Sequence, residues 1–381
     1  MPDDAVERLT RLVAGHGLNG NHGGDGAAAN PEPPGDADWR LFRSRLFSGK
    51  LSGLALAAFA DGTLSLTGEQ EADLVERHRE RMARVLLLER TTFDLCGEMD
   101  RAGVPALVLK GSSFAHTAYP DPSWRDFDDV DLLVPTHLFA RARTVLVEAG
   151  CKPSSVEPRP GFIERFGKAA VFRKGVFEID LHRTLVLGPY SIWVDAERLF
   201  AEQRTFAVGG QMIRCLSPEH RLIHACMHAI LGAHPPLLLA LRDAAQLERA
   251  GGIDPEVLAR DARAWRVESV LARAAEELRN RLGIEAGSLL RAFDAAKPGR
   301  AERKAVRAYL EAGHAGGRTS SGMIRALPGI RQKLAYLGAI VLPDEEFLAH
   351  HTGASGSRWR TYPRRWRQLL RILRRRRRGA V

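Results

Sequence analysis

Apolar residues at Leu74, Met82, Val85, Leu88 and Leu95 recur at helical spacing, giving the stretch that begins near Leu66 one hydrophobic stripe. Thr67, with Gln70 three residues on, has the form of a capping box, and Gly103 marks a stop, so the spacing predicts one long helix. The rhythm then shortens. VPALVLK (Val104–Lys110) is a short apolar run of the kind a buried strand needs, GSSFAHTAY reads as a short helix and PDPSWRDF as a loop. DVDLLV (Asp129–Val134) is a second strand, and PTHLFARARTVLVEAGC a second helix with Leu138, Ala142, Val145 and Leu146 inward. AAVFRKGVFEIDLH reads as a hairpin turning at Arg173-Lys174-Gly175. This order predicts a small mixed sheet with helices, an α+β fold of α/β type.

Beyond about residue 215 the pattern is helical throughout. Ser217 as a cap and Pro218 at the first helical position open SPEHRLIHACMHAILG, and PLLLALRDAAQLERAG, PEVLARDARAWRV and SVLARAAEELRNRLG follow. We therefore expect an α/β domain over 65–210, a helical domain over 216–312 and an extension over 313–381. Residues 17–38 are mostly Gly, Ala, Asn and Pro, too poor in bulky apolar side chains to offset ordering entropy. The segment 1–40 is thus expected to be flexible, with the amphipathic piece VERLTRLVAG either docked or free.

Composition adds limits. With 45% hydrophobic and 27% charged residues the chain is of ordinary globular type. No run of eighteen apolar residues suits a membrane span, and acids near the start stand where a secretory signal needs bases, so a cytoplasmic protein is expected. Cys96, Cys151, Cys215 and Cys226 form no CxxC pair and imply neither a disulfide framework nor a zinc ribbon. The net charge of +10 is local: eleven arginines and no acid lie between Arg358 and Val381, and the rest of the chain is nearly neutral. That stretch interleaves Trp359, Tyr362 and Trp366 with arginine, and WRQLLRILRR has an apolar face. An anionic membrane surface, a nucleic acid backbone or a merely solvated helix all fit it.

The chemistry concentrates in WRDFDDVDLLV, with four aspartates in six residues running into aliphatics. On a strand, Asp129 and Asp131 leave one face while Val130 and Leu132 enter the sheet. Two like charges so close call for a cation between them, and magnesium accepts carboxylate oxygens together with phosphates and water. A solvated strand edge is the plainer alternative. In LKGSS, Gly111 lets the backbone approach a ligand, Lys110 adds charge, and the N–H groups and hydroxyls of Ser112 and Ser113 at a helix start suit phosphate oxygens. In FEIDLHRTL, Glu178 and Asp180 share one strand face, and His182 leaves on the same side. A carboxylate from that strand would complete a site for two metal ions. Asp126 and Asp128 are expected to be loop or supporting residues. His220, His224 and His228 form one helical stripe that suits core hydrogen bonding, substrate contact or, least, zinc. Asp243 is expected to bond these histidines or a helix start.

Taken together, LKGSSFAHTAYPDPSWRDFDDVDLLV, FEIDLHRTL, LSPEHRLIHACMHAILG and LLLALRDAAQL resemble the uncharacterised bacterial nucleotidyltransferases of the polymerase-β-like superfamily over roughly 70–275. The resemblance implies a polymerase-β-like domain followed by a helical one. It also implies a Gly-Ser turn at Gly111 and Ser112 for nucleotide phosphates, and a DxD at Asp129 and Asp131 with Asp180 as third acid, together binding two divalent metals. Arg125 matches the arginine that would meet the triphosphate. One departure stands out: sixteen residues separate Ser112 from Asp129, more than in many of these enzymes.

The implied activity is metal-dependent transfer of a nucleoside monophosphate from an NTP such as ATP, with Mg²⁺ or Mn²⁺, to an acceptor hydroxyl on a small molecule, peptide or protein, releasing pyrophosphate. Asp180 would take the acceptor proton. Family context points to natural-product biosynthesis or modification. The alternative is a non-catalytic nucleotide- or membrane-binding partner protein that retains the fold; a third reading is a toxin-neutralising enzyme that nucleotidylates a partner.

Overall fold

The computed structural model describes residues 2–18, 32–233, 235–310, 323–352, 362, 366 and 367. The predicted long helix is present as α4 (Gly68–Arg101), after α1 (Pro2–Gly15), α2 (Asp36–Ser48) and α3 (Ser52–Ala60). The Thr67–Gln70 capping box is formed in both directions, and Gly103 takes the left-handed conformation just past the helix end. Two of these helices, α2 and α3, were not predicted.

A seven-stranded mixed sheet lies behind α4. It comprises β1 (Leu107–Val108), β2 (Asp129–Leu133), β3 (Lys152–Pro153), β4 (Ala169–Lys174), β5 (Phe177–His182), β6 (Arg204–Val208) and β7 (Gln211–Cys215), in the order β3-β4-β5-β2-β1-β7-β6. The β2–β5 and β1–β7 pairs are parallel and the others antiparallel. The predicted strand at Val104–Lys110 shrinks to two residues, because Lys110 already opens α5 (Lys110–Ala118). The β4–β5 hairpin turns one step later than expected, at Gly175-Val176, with Gly175 at positive φ.

The sheet separates two cores. On one face Val130, Leu132, Ile179 and Leu181 pack with Val85, Leu88 and Leu95 of α4 and with α6 (Phe139–Glu148). On the other, Leu107, Leu109 and Leu133 join a larger core with α5, α10 (Pro218–Gly232), α11 (Leu238–Ala250), α12 (Pro255–Ala264) and α13 (Glu268–Glu277). In chain order α7 (Phe162–Phe166) lies between β3 and β4, and α8 (Tyr190–Trp193) and α9 (Ala196–Ala201) lie between β5 and β6.

At the start of the chain the amphipathic piece takes the docked alternative. Val6, Val13 and Ala14 of α1 are fully buried in the larger core, and the buried Arg242 of α11 donates Nη1–H to the carbonyls of Ala14 (2.8 Å) and His16 (2.7 Å). A segment expected to be flexible thus carries a docked helix, fixed by a guanidinium that satisfies carbonyls at the helix end. The Gly-rich residues 19–31 lie outside the described residues, as does most of the arginine-rich stretch. Among the described residues no helix is long and apolar enough to cross a membrane.

Candidate active site

The register of β2 against β5 builds the site. Asp129 lies opposite Glu178, Asp131 opposite Asp180 and Leu133 opposite His182 in a parallel ladder, so the acids of both strands leave one face together. Asp131 is buried and accepts from His182 Nε2–H at 2.7 Å and from Lys110 Nζ at 2.9 Å. One oxygen of Asp180 stands 3.9 Å from His182 Nε2; the other, Oδ1, is buried without a hydrogen-bond partner. Asp129 is half-buried and lines, with Lys110, Gly111, Asp131 and His228, a cavity of about 430 Å³. That volume is in the range of small-molecule sites.

Electrostatics distinguish these acids. Burial pushes the Asp131 carboxyl up, but the Lys110 ammonium and the His182 hydrogen bond outweigh it and hold the group well below the usual carboxylate range. Asp180 goes the other way: burial raises its pKa, and Asp131 and Asp129 add to the rise against His182 and Lys168. Burial also lowers Lys168, and the Lys110 charge adds to that. For Lys110 burial acts downward, yet Asp131 and Asp129 leave it raised. Three carboxylates therefore face a pair of ammonium groups, one of which burial discourages from holding its charge.

Could a divalent cation fit? An orphaned carboxylate oxygen on Asp180 is what such an ion would satisfy. Donor atoms of Asp131, Asp180 and His182 lie within 4.8 Å of one another. Oxygen donors from acids suit magnesium or manganese. A second group of comparable spacing, Glu202, His220 and Asp261, does not fit. Arg198 and Arg260 already reach both of its carboxylates and balance their charge.

The turn between β1 and α5 is strained as well as tight. Lys110 has φ +31° and Gly111 φ +34° with ψ −119°. A side chain on Gly111 would meet the Phe127 ring at 3.3 Å. A non-glycine residue at positive φ costs on the order of 1–3 kcal/mol and persists only where surroundings enforce it. Here the Lys110–Asp131 ion pair and the backbone bond from Leu109 N–H to the Asp131 carbonyl hold the turn against β2.

Other predicted site residues are bonded within the protein, although Arg125 and Asp243 also line the cavity. Ser112 donates its hydroxyl to Glu89 of α4 at 3.0 Å, beside a 2.7 Å contact from His116 to the same oxygen. Ser113 is buried too, so neither hydroxyl lines the cavity. Arg125, expected at a triphosphate, spends its fork on Asp243 of α11: Nε–H to Oδ1 at 2.9 Å and Nη2–H to Oδ2 at 2.8 Å. Tyr119 O–H donates to the same Asp243 at 2.8 Å. Asp243 therefore bonds Arg125 and Tyr119 rather than the histidines, and ties the loop before β2 to the helical half.

Asp126 and Asp128 form a separate network. Arg81 Nε–H reaches Asp126 at 2.8 Å, and Asp128 takes Arg81 at 3.0 Å and Lys50 at 3.1 Å. The histidine stripe divides. His220 bonds Asp261 at 3.0 Å and packs on Trp265, His224 meets the Phe114 ring edge-on, and His228 borders the cavity. Burial first, then the Lys110 charge, pushes His224 and His228 well below the ordinary imidazole value, so both are neutral. Lys168, Glu89 and the contribution of α1 to the cavity wall, through Glu7 and Thr10, were not anticipated; each depends on contacts distant in sequence.

A family described as "Uncharacterised nucleotidyltransferase" matches residues 35–283. No curated protein matches the chain. Among solved structures, the antibiotic-resistance factor ANT(2'')-Ia is 15% identical with a TM-score of 0.34, covering 52% of this chain and 98% of that one. An antigenic nucleotidyltransferase-like protein from Paracoccidioides brasiliensis is 15% identical with a TM-score of 0.32, covering 54% and 93%.

Proposed function

Since this chain belongs to that nucleotidyltransferase family and is a transferase, we propose that it moves a nucleoside monophosphate from an NTP to an acceptor hydroxyl and releases pyrophosphate. The observation that carries the reading is the shared face of Asp129, Asp131 and Asp180, with a buried Asp180 oxygen left unpartnered. These three carboxylates would hold Mg²⁺ or Mn²⁺. When bound, the ions neutralise phosphate charge and make the acceptor hydroxyl more acidic.

The chain's own groups supply the rest. His182 fixes the orientation of the Asp131 carboxylate through its 2.7 Å hydrogen bond. Lys110 stands at the cavity wall beside the acids and offers its ammonium to the phosphates, while the Gly111 backbone gives them close approach. Asp180, its pKa raised by burial with Asp131 adding to the rise, would take the acceptor proton. The Arg125–Asp243 pair, with a 3.5 Å reach from Arg125 Nη1–H to the Gly111 carbonyl, acts as a positioning clamp on the turn rather than as a phosphate ligand. The acceptor is a hydroxyl on a small molecule, peptide or protein small enough at its tip to enter the cavity.

The test is turnover of the four NTPs with Mg²⁺ or Mn²⁺, following pyrophosphate and label transfer into a cell extract. Release that vanishes in Asp129→Asn/Asp131→Asn is expected. Full release by that variant would remove the site assignment, and tight NTP binding without release would favour a non-catalytic binding protein.

A further inference from the structure

Five cationic side chains line the cavity beside the acids, and four of them already meet an acid. Lys110 pairs with Asp131 and Arg125 with Asp243. Arg45 of α2 reaches Glu7 of α1 at 2.9 Å, and Lys50, at the turn into α3, reaches Asp128 at 3.1 Å. Arg281 is the fifth. Among the described residues it has no ion pair, hydrogen bond or ring contact. Its neighbours along the chain are matched: Arg273 pairs with Glu276 at 2.8 Å and Arg279 with Glu285 at 3.0 Å, and neither lines the cavity.

The backbone under Arg281 is also unusual. Leu278–Leu282 is a π-helical turn that continues α13, and Gly283 closes it at φ +67°. Such turns are rare, and they occur frequently at functional sites. Leu278 and Leu282 are buried in the core that also holds Val13 of α1 and Leu241 of α11, so the turn is held from behind. Arg281 is only half-buried and borders the cavity. The acids on the cavity wall offer it nothing: Glu7 and Asp243 hold other guanidinium groups, Asp126 is bonded to Arg81, and Asp129 and Asp131 belong to the cation site. A guanidinium with no acid of the protein to neutralise it suits phosphate or carboxylate oxygens, which its fork takes two at a time.

We propose that Arg281 is a substrate-recognition residue that takes an anionic oxygen group, phosphate or carboxylate, of the molecule filling the cavity. In the transfer reaction proposed above, on which the identity of that molecule rests, the group is either the triphosphate of the NTP or an anionic group on the acceptor. Both present the same oxygens to the guanidinium.

The experiment compares the full chain with Arg281→Gln, and with Arg279→Gln as the control for loss of one positive charge. Calorimetry with the αβ-methylene analogue of the NTP turned over, in Mg²⁺, reads the nucleotide. The amount of cell extract needed for half-maximal label transfer reads the acceptor. Calorimetry with inorganic tripolyphosphate reads the anion site without any transfer. Arg281→Gln should weaken the nucleotide titration or raise the extract requirement by about tenfold or more, with its melting temperature and the behaviour of Arg279→Gln matching the parent. A weaker nucleotide titration assigns Arg281 to the triphosphate; an unchanged one with a greater extract requirement assigns it to an anionic acceptor. No change in either, or an equal loss in Arg279→Gln, overturns the proposal. If no NTP is turned over by the parent, the transfer reading falls and tripolyphosphate decides for Arg281 separately. Binding by the parent that Arg281→Gln alone weakens then upholds the anion site, and any other result overturns it.

Discussion

The loop and strand from Asp126 to Asp131 hold two sets of aspartates, and the sets differ in how their charge is met. Asp126 and Asp128 pair with Arg81 and Lys50. Asp243, which tethers that loop from α11, pairs bidentately with Arg125. Asp128 and Asp243 each have a cation in contact, and Asp126 shares Arg81 with Asp128 while its Oδ1 is left without a partner. Among the described residues, Asp131 meets Lys110 and the His182 imidazole, while Asp129 and Asp180 have no ammonium or guanidinium in contact and Lys168 is pushed toward its neutral form. Balanced pairs hold a structure in place; a deficit facing a cavity marks where a mobile cation belongs.

The comparison can be broken most severely at the deficit. Asp129→Ala should lower nucleotidyl transfer by about 10³-fold or more, some 4 kcal/mol of transition-state stabilisation, while leaving the melting temperature close to the parent's, since Asp129 is only half-buried. Comparable loss of stability instead would place Asp129 among the balanced pairs.

Next comes the clamp. Arg125→Met leaves the Asp243 carboxylate buried without its partner and should cost about 3–5 kcal/mol of stability, read as a denaturation midpoint. Arg125→Met/Asp243→Leu should recover most of that, because the double change removes both charges. If the double variant is no better than the single, the pair does more than balance charge.

Acid titration separates His224 from Asp131 by pH range, both losing stability as pH falls. Buried His224 has a folded-state pKa far below that of the unfolded chain, so the unfolded state binds more protons as pH falls past about 6.5, and stability falls with it. Asp131 is likewise depressed, but against a carboxylate reference, so its contribution is intact above about pH 4 and lost below. His224→Leu should flatten the stability curve between about pH 6.5 and 5 and leave the acid limb. A curve identical to the parent's would mean that His224 is not titrating on unfolding.

The smallest effect is expected at Ser112. Its hydroxyl is bonded to Glu89, so Ser112→Ala should cost about 1 kcal/mol of stability with little change in KM for the NTP. A large rise in KM would instead return the hydroxyl to the phosphates.

Much of the site is legible from local alternation. A two-residue period fixes which of Asp129, Val130, Asp131 and Leu132 face together, and the same rule sets Asp180 and His182 on one side of β5. Periodicity could not reveal that Arg125 meets Asp243, 118 residues away, or that Ser112 turns to Glu89 on α4. Those partners depend on how helices cross the sheet. Residues alone allowed a phosphate role for each hydroxyl, and packing assigned the hydroxyls elsewhere. Whether α1 docks was left open for a related reason: its burial needs the face of α11 and the Arg242 guanidinium, neither visible in its own fourteen residues.

The central claim is that Asp129, Asp131 and Asp180 form a cation site whose charge the protein leaves unmet. Manganese binding to the full chain, followed by electron paramagnetic resonance with a non-hydrolysable NTP present, addresses it directly. We expect bound Mn²⁺ in the parent and in Asp128→Asn, and its loss in Asp129→Asn/Asp131→Asn. Equal Mn²⁺ binding by the parent and by Asp129→Asn/Asp131→Asn would contradict the account.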